Sequence, residues 1–254
     1  SSRIELLGKF KSLHDKILVA NKEFLVIAEP EHRSQLIWDI DSVWGTSLGA
    51  ATDSPLELPP VRERVRQAWS TTTAVNFCAK AYPTVASGHP DNAPLQVLAG
   101  FMRNGYLHRA IREQGGAYGG GASQDASSAS FRFFSYRDPR LQETLADFDA
   151  AIDWVISSEH KPHQLEEAIL GVIASLDKPA SPAGEAKQAY FNRAFGRTLA
   201  HRAQFRKQIL SITTADLKRV AQLYLSPEKA SIGIICNKES ADSLKIENLE
   251  IVNL

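Results

Sequence analysis

The sequence predicts an α+β domain, a mixed β-sheet with helices packed on one face, preceded by a partial helix–strand–helix piece. Three observations carry that expectation. Apolar residues recur every three or four positions in several stretches, the spacing of half-buried helices. Short runs rich in β-branched and aromatic residues alternate with them, as buried strands do. Their order between residues 68 and 236 is strand, helix, hairpin, several helices, strand, which suits helices segregated to one side of a sheet. A chain of 254 residues, 43% of them hydrophobic, can supply one sizeable core or one complete domain plus part of another.

Each element follows from local chemistry. Ile4, Leu7, Phe10, Leu13 and Ile17 form one helical stripe. Phe24 to Ala28 is a continuous apolar run, expected as a buried strand that Pro30 ends. Residues 31–44 have helical spacing again. The stretch GTSLGAATDSPLELPP, residues 45–60, has no periodicity and the densest helix breakers of the chain. A domain boundary is expected there. The expected organisation is residues 1–45 as the tail of a preceding domain, 46–62 as linker, 63–240 as the main domain and 241–254 as a C-terminal tail.

The main domain opens with residues 68–82, read as one strand. Residues 94–113 read as a helix with Leu95, Leu98, Phe101, Met102 and Leu107 turned inward. The run GGAYGGG, residues 115–121, stops that helix and leads into a hairpin whose second strand is Ser130 to Tyr136. Leu141, Leu145, Phe148, Ile152 and Ile156 form one further helical stripe, and Leu165, Ile169, Val172, Ile173 and Leu176 another. Residues 185–211 read as a long polar helix. Thr213 with Asp216 three residues on is a capping box for a helix to Leu225, and Ala230 to Cys236 reads as the last strand. Cys78 and Cys236 fall in strand-like apolar runs and are expected as buried free thiols.

Lysine plus arginine and aspartate plus glutamate each number 29, so nothing in the charge balance points to nucleic acid or an anionic membrane. No apolar run approaches the ~20 residues that span a bilayer. A helical zinc-peptidase site needs two histidines one turn apart with a carboxylate, and none of the seven histidines stands in either H-E-x-x-H or H-x-x-E-H. His160 and His163 flank Pro162 and read as a loop, so no metal site is expected in this chain. The nucleophile elbow, the Walker motif and the dinucleotide fingerprint are absent too.

One segment stands out, Arg109 to Gly121. It places Arg112 at a helix C-terminus, then Gly115 and Gly116 for a sharp turn, then Tyr118 at a strand start flanked by Ala117 and Gly119. An arginine and a tyrosine hydroxyl presented together can donate hydrogen bonds to a carbonyl or an oxyanion. Chemistry alone favours the plainer reading, a helix C-cap and β-turn with an ordinary core tyrosine and a surface arginine.

The pieces LHRAIREQGGAYGGGAS and FRFFSYRDPRLQETLADFDAAIDWV resemble the last domain of the presequence-degrading branch of the pitrilysin/insulinase zinc metallopeptidases. The similarity covers residues 66–236. The second block has Arg140 where that branch has asparagine, which reads as a surface-type change. The resemblance implies four homologous domains in two halves that close around a chamber, with zinc and the general base in the N-terminal half. A zinc-bound water would attack the scissile carbonyl. It implies that Arg112 and Tyr118 complete the catalytic site, with Gly115, Gly116, Ala117 and Gly119 binding substrate backbone. Unfolded peptides would be the substrate and the N-terminal half the partner. The implied compartment is cytoplasmic or periplasmic in a bacterium, mitochondrial or plastid in a eukaryote. The family also contains non-catalytic relatives, so a structural or peptide-binding subunit is the alternative. This chain alone is expected to be inactive.

Overall fold

The computed structural model describes residues 3–20, 22–45 and 63–253. The expected linker at 46–62 lies outside them. The described residues form two compact units, one from within residues 1–60 and 179–197, the other from within 61–178 and 198–254.

The larger unit holds a six-stranded mixed sheet in the order β3-β4-β2-β5-β1-β6. The strands are β1 (Arg66–Ser70), β2 (Asn76–Pro83), β3 (Gly119–Asp125), β4 (Ser130–Asp138), β5 (Ser231–Cys236) and β6 (Glu250–Asn253). Antiparallel pairing joins β3, β4, β2 and β5, and β1 lies parallel to both β5 and β6. Strand β6 comes from the stretch read as a C-terminal tail. Residues 68–82 form two strands rather than one. Between them the Thr73 hydroxyl bonds both the carbonyl and the amide of Val75, at 3.0 and 3.3 Å, which diverts the backbone from the ladder.

Burial alternates along every central strand, so one face is covered and the other is not. Cys78, Phe131, Phe133, Ile232 and Ile234 are buried on the covered face, whereas Trp69, Phe77, Phe134, Tyr136 and Ile235 stay partly exposed. The helices against the covered face are α3 (Asn92–Met102), a π-helical segment (Arg103–Gln114), α4 (Gln142–Ser157), α5 (Pro162–Leu176) and α8 (Thr214–Tyr224). Every residue expected inward on the first long helix is buried, as are Leu141, Leu145, Phe148 and Ile152. Removing a ring such as that of Phe148 from water stabilises by about 1.5–3 kcal/mol. The helix over 94–113 is two windings, since the π-helical turns begin at Arg103. Close behind, Gly105 lets the Trp154 indole lie where a Cβ would sit 2.4 Å from it.

Helix α8 begins as read: the Thr213 hydroxyl accepts from the Asp216 amide and the Asp216 carboxylate from the Thr213 amide. The expected helix over 185–211 is broken into α6 (Pro182–Ala194) and α7 (Leu199–Leu210). Gly196 adopts φ +64°, and the Thr198 hydroxyl caps a fresh helix through the His201 amide. Cys78 and Cys236 are buried free thiols. Burial pushes the Cys78 thiol up to about 12.

The smaller unit contains α1 (Arg3–Val19), α2 (Arg33–Trp44) and α6. Phe24 to Ala28 forms no strand, contrary to expectation, and is exposed. An apolar run becomes a strand only where another strand supplies hydrogen bonds, and no described residue does so here. The stripe of α1 is likewise exposed, from Ile4 to Ile17. Among the described residues no helix is long and apolar enough to cross a membrane.

Candidate functional site

Arg112 is exposed in the last turn of the π-helical segment, and the chain then reverses direction within four residues. The backbone amides of that reversal are used internally. Gly115 and Gly116 donate to the Arg112 carbonyl, and Ala117 donates to that of Ile111 at 3.1 Å. Gly116 has φ +77°, a conformation that costs a residue with a Cβ about 1 kcal/mol or more. The Tyr118 amide donates to the Arg137 carbonyl at 3.2 Å, and Gly119 then enters β3 opposite Tyr136.

The turn is backed residue by residue by the segment that follows β4. A Cβ on Gly115 would lie 1.9 Å from Nη2 of Arg140 and 2.5 Å from the Ile111 carbonyl oxygen. One on Gly116 would meet Pro139 at 3.5 Å, and one on Gly119 would fall 2.4 Å from the Tyr136 hydroxyl oxygen. The two sequence blocks that carry the family resemblance therefore pack against each other. Ala117 is buried, as are Gly115 and Gly119, while Gly116 is exposed.

Tyr118 itself is 63% exposed. Its ring is flanked by that of Tyr136, with centroids 5.7 Å apart, and by the Arg137 guanidinium 5.5 Å from the ring centre. Arg137 has φ +49°, an uncommon conformation for an arginine that lets its carbonyl reach Tyr118 and its side chain lie over the ring. Neither Arg112 nor Arg137 joins a salt bridge among the described residues, and the neighbouring Glu113 carboxylate approaches His108 instead, at 3.3 Å. The corner thus carries two cationic side chains and a phenol hydroxyl near one turn, a donor set suited to a carbonyl or an anion.

Arg140 does not behave as a surface residue. It is about three-quarters buried at its side chain, where Nη2 donates to the Ala110 carbonyl at 3.0 Å and to Oδ2 of Asp147 at 2.9 Å. Its own amide donates to the fully buried Asp138, whose other carboxylate oxygen accepts from Thr144. Sequence reasoning missed Tyr136, Arg137 and Arg140 as parts of the site. The signal was present in the hairpin register, which sets the second block beside the first.

The donors here do not suit a metal ion, since a guanidinium cannot ligate one. Among the described residues, one group has spacing that could hold a cation, Glu29, Glu31 and His32. All three are exposed and belong to the smaller unit, and exposed acidic groups are common without an ion. The residues of the candidate site therefore do not fit zinc.

Comparison with known proteins identifies the family and the fold. The family described as PreP C-terminal domain matches residues 66–237, which contain the whole sheet except β6 and the whole turn. Presequence protease, mitochondrial, of Yarrowia lipolytica is 42% identical over 151 residues, covering 59% of this chain and 15% of that protein. Its counterpart in Eremothecium gossypii is 32% identical over 228 residues, covering 87% of this chain and 23% of that protein. The chain thus spans about a quarter or less of the length of these relatives. The crystal structure of pitrilysin superposes with a TM-score of 0.60 at 14% identity, over 88% of this chain and 25% of that one, a likeness of fold. Matched along most of its larger unit, the chain belongs to the PreP C-terminal domain family.

Proposed function

We propose that this chain is the C-terminal part of a zinc-dependent endopeptidase that degrades unfolded peptides in an enclosed chamber, and that Arg112 and Tyr118 are its contribution to catalysis. The observation that supports this most is the presence at one turn of an exposed arginine, with no salt bridge among the described residues, and an exposed tyrosine held by Tyr136 and Arg137. A side chain with no salt-bridge partner among the described residues, presented by a hydrogen-bonded turn, is available to a ligand.

Zinc and the general base belong to the N-terminal half of the parent enzyme, which closes over this part. The role of this chain begins as negative charge builds on the scissile carbonyl oxygen. The Tyr118 hydroxyl donates a hydrogen bond to that oxygen and the Arg112 guanidinium neutralises it, donors whose individual loss costs about 10²–10³ in turnover. Gly116 offers the exposed floor on which substrate backbone lies. Gly115, Ala117 and Gly119 serve by lacking bulk, so that Arg112 and Tyr118 stand clear of the turn. Because the two sets of groups sit on different halves, only the closed enzyme is active. For a eukaryotic parent the compartment in this reading is the mitochondrion, which the relatives named as mitochondrial presequence protease support.

The test separates chain from parent. The purified 254-residue chain, supplied with zinc, should leave a quenched unfolded peptide intact, while the parent cleaves it and loses activity to a chelator. Zinc-dependent cleavage by the chain alone would refute the division of labour.

A further inference from the structure

We infer that Arg140 is a positioning residue, which holds the Gly115–Tyr118 turn in register and so aims Arg112 and Tyr118; this rests on the catalytic role proposed for that pair. Four observations lead there. The guanidinium lies where a side chain at Gly115 would begin, so residue 115 can come this close only as glycine. The same Nη2 donates to the carbonyl of Ala110, two residues before Arg112 and in the same helical segment. It also donates to Asp147, which fixes the guanidinium to α4. Finally, both backbone polar groups of Arg140 are tied: its amide donates to Asp138 and its carbonyl accepts from Asn76 Nδ2 at 3.3 Å. A side chain that is mostly buried, anchored at its backbone and bonded through Nη2 to both the π-helical segment and α4 has few orientations open to it.

The consequence is mechanical. The π-helical segment ends at Gln114, and the turn that follows has only Gly115, Gly116 and Ala117 before Tyr118. Those residues bring no side-chain packing of their own beyond a methyl group. The turn's own hydrogen bonds to Ile111 and Arg112 are thus supported from outside, and Arg140 is the polar side chain that enters beneath its first residue. Removing it leaves a gap under a glycine pair, whose backbone has more freedom than any other. Arg112 and Tyr118 stand at opposite ends of that turn, so loosening changes their mutual placement while leaving both residues present.

The experiment uses the full-length parent with Arg140→Ala, Arg140→Lys and Arg140→Gln, read by steady-state peptide cleavage and by amide hydrogen exchange. Arg140→Ala should lower kcat about tenfold with KM changed less than about twofold, the signature of misplaced donors rather than lost substrate contacts. Exchange at the Gly116 and Ala117 amides should speed up at least about tenfold while the β2 and β5 amides stay protected. Arg140→Lys, which keeps the charge opposite Asp147, should recover part of the rate. In a parent already carrying Arg112→Ala and Tyr118→Phe, Arg140→Ala should add little further loss. If Arg140→Ala fails to fold, Arg140→Gln, which keeps most of the aliphatic stem, is read in its place. Unchanged exchange at Gly116 and Ala117 overturns the inference. So does an Arg140→Ala loss of kcat that is undiminished in the doubly substituted background, because Arg140 would then act independently of the pair. If Arg112→Ala and Tyr118→Phe themselves leave kcat intact, the catalytic reading fails, and the exchange at Gly116 and Ala117 alone decides whether Arg140 holds the turn.

Discussion

At the scale of single residues, the site is a set of close approaches that only glycine permits. Gly116 is the cleanest test because its positive φ, rather than crowding, demands glycine: Pro139 would sit at an ordinary 3.5 Å from a new Cβ. Gly116→Ala should therefore destabilise by about 1 kcal/mol, measured by denaturant unfolding, and lower the parent's kcat without touching any ionisable group. No change in either quantity would mean that the turn is not held as described. The roles given to Arg112 and Tyr118 came from the family resemblance, which a contiguous local motif carries, since a helix end, a glycine pair and a tyrosine by themselves also suit an ordinary cap. The supports did not. Arg140 reads as a surface residue in one dimension, and it becomes a buried tie only because β4 returns beside β3 and places the next bend under Gly115. Arg137 also gave no sign of its positive φ, which is set by the same bend.

At the scale of elements, periodicity located the helices well and their interruptions poorly. Stripes such as Leu141–Ile156 were legible because burial on one face imposes a 3.6-residue spacing wherever a helix lies on the sheet. The break between β1 and β2 depends on one threonine hydroxyl, and that between α6 and α7 on one positive-φ glycine, neither of which disturbs the apolar pattern much. The Phe24–Ala28 run failed as a strand for the opposite reason: composition was right and a partner was lacking among the described residues. One polar tie between elements gives a pH-dependent prediction. Asp91, just before α3, accepts from Arg219 Nη2 at 2.6 Å and from the Tyr224 hydroxyl at 2.8 Å, both on α8. The Arg219 hydrogen bond, then that of Tyr224, holds the Asp91 carboxyl below its ordinary value, while burial and then Asp91 push the Tyr224 phenol up to about 12. A depressed folded pKa gives stability that is full above the unfolded value of about 4 and is lost as pH falls through the folded one. Asp91→Asn should accordingly lower stability at neutral pH by about 1 kcal/mol, kept modest because Arg219 is half exposed, and should flatten the loss of stability below pH about 4. Identical acid unfolding profiles for the two proteins would contradict this tie.

At the scale of the molecule, the larger unit is a single-faced sheet whose helices cover one side, and the candidate site lies at the β3–β4 edge of that sheet. This architecture was legible because the order of elements restricts how helices and strands can pair, and because the turn carries a long contiguous motif. Strand β6 was not, since Glu250–Asn253 is too short to show a period. The smaller unit was legible only as helices; the exposure of its apolar stripes is a property of the folded chain that periodicity does not report. The central claim is that a turn on this unit gives a peptidase two of its catalytic groups. Its most direct test is peptide turnover by the zinc-loaded parent, comparing wild type with Tyr118→Phe and Arg112→Ala at equal zinc content. The account predicts cleavage of unfolded peptides by wild type and a loss of at least about tenfold in kcat for each substitution. A parent that binds peptides without cleaving them, or one that cleaves them equally well with both substitutions in place, would contradict it and leave the arginine and tyrosine as parts of a structural turn.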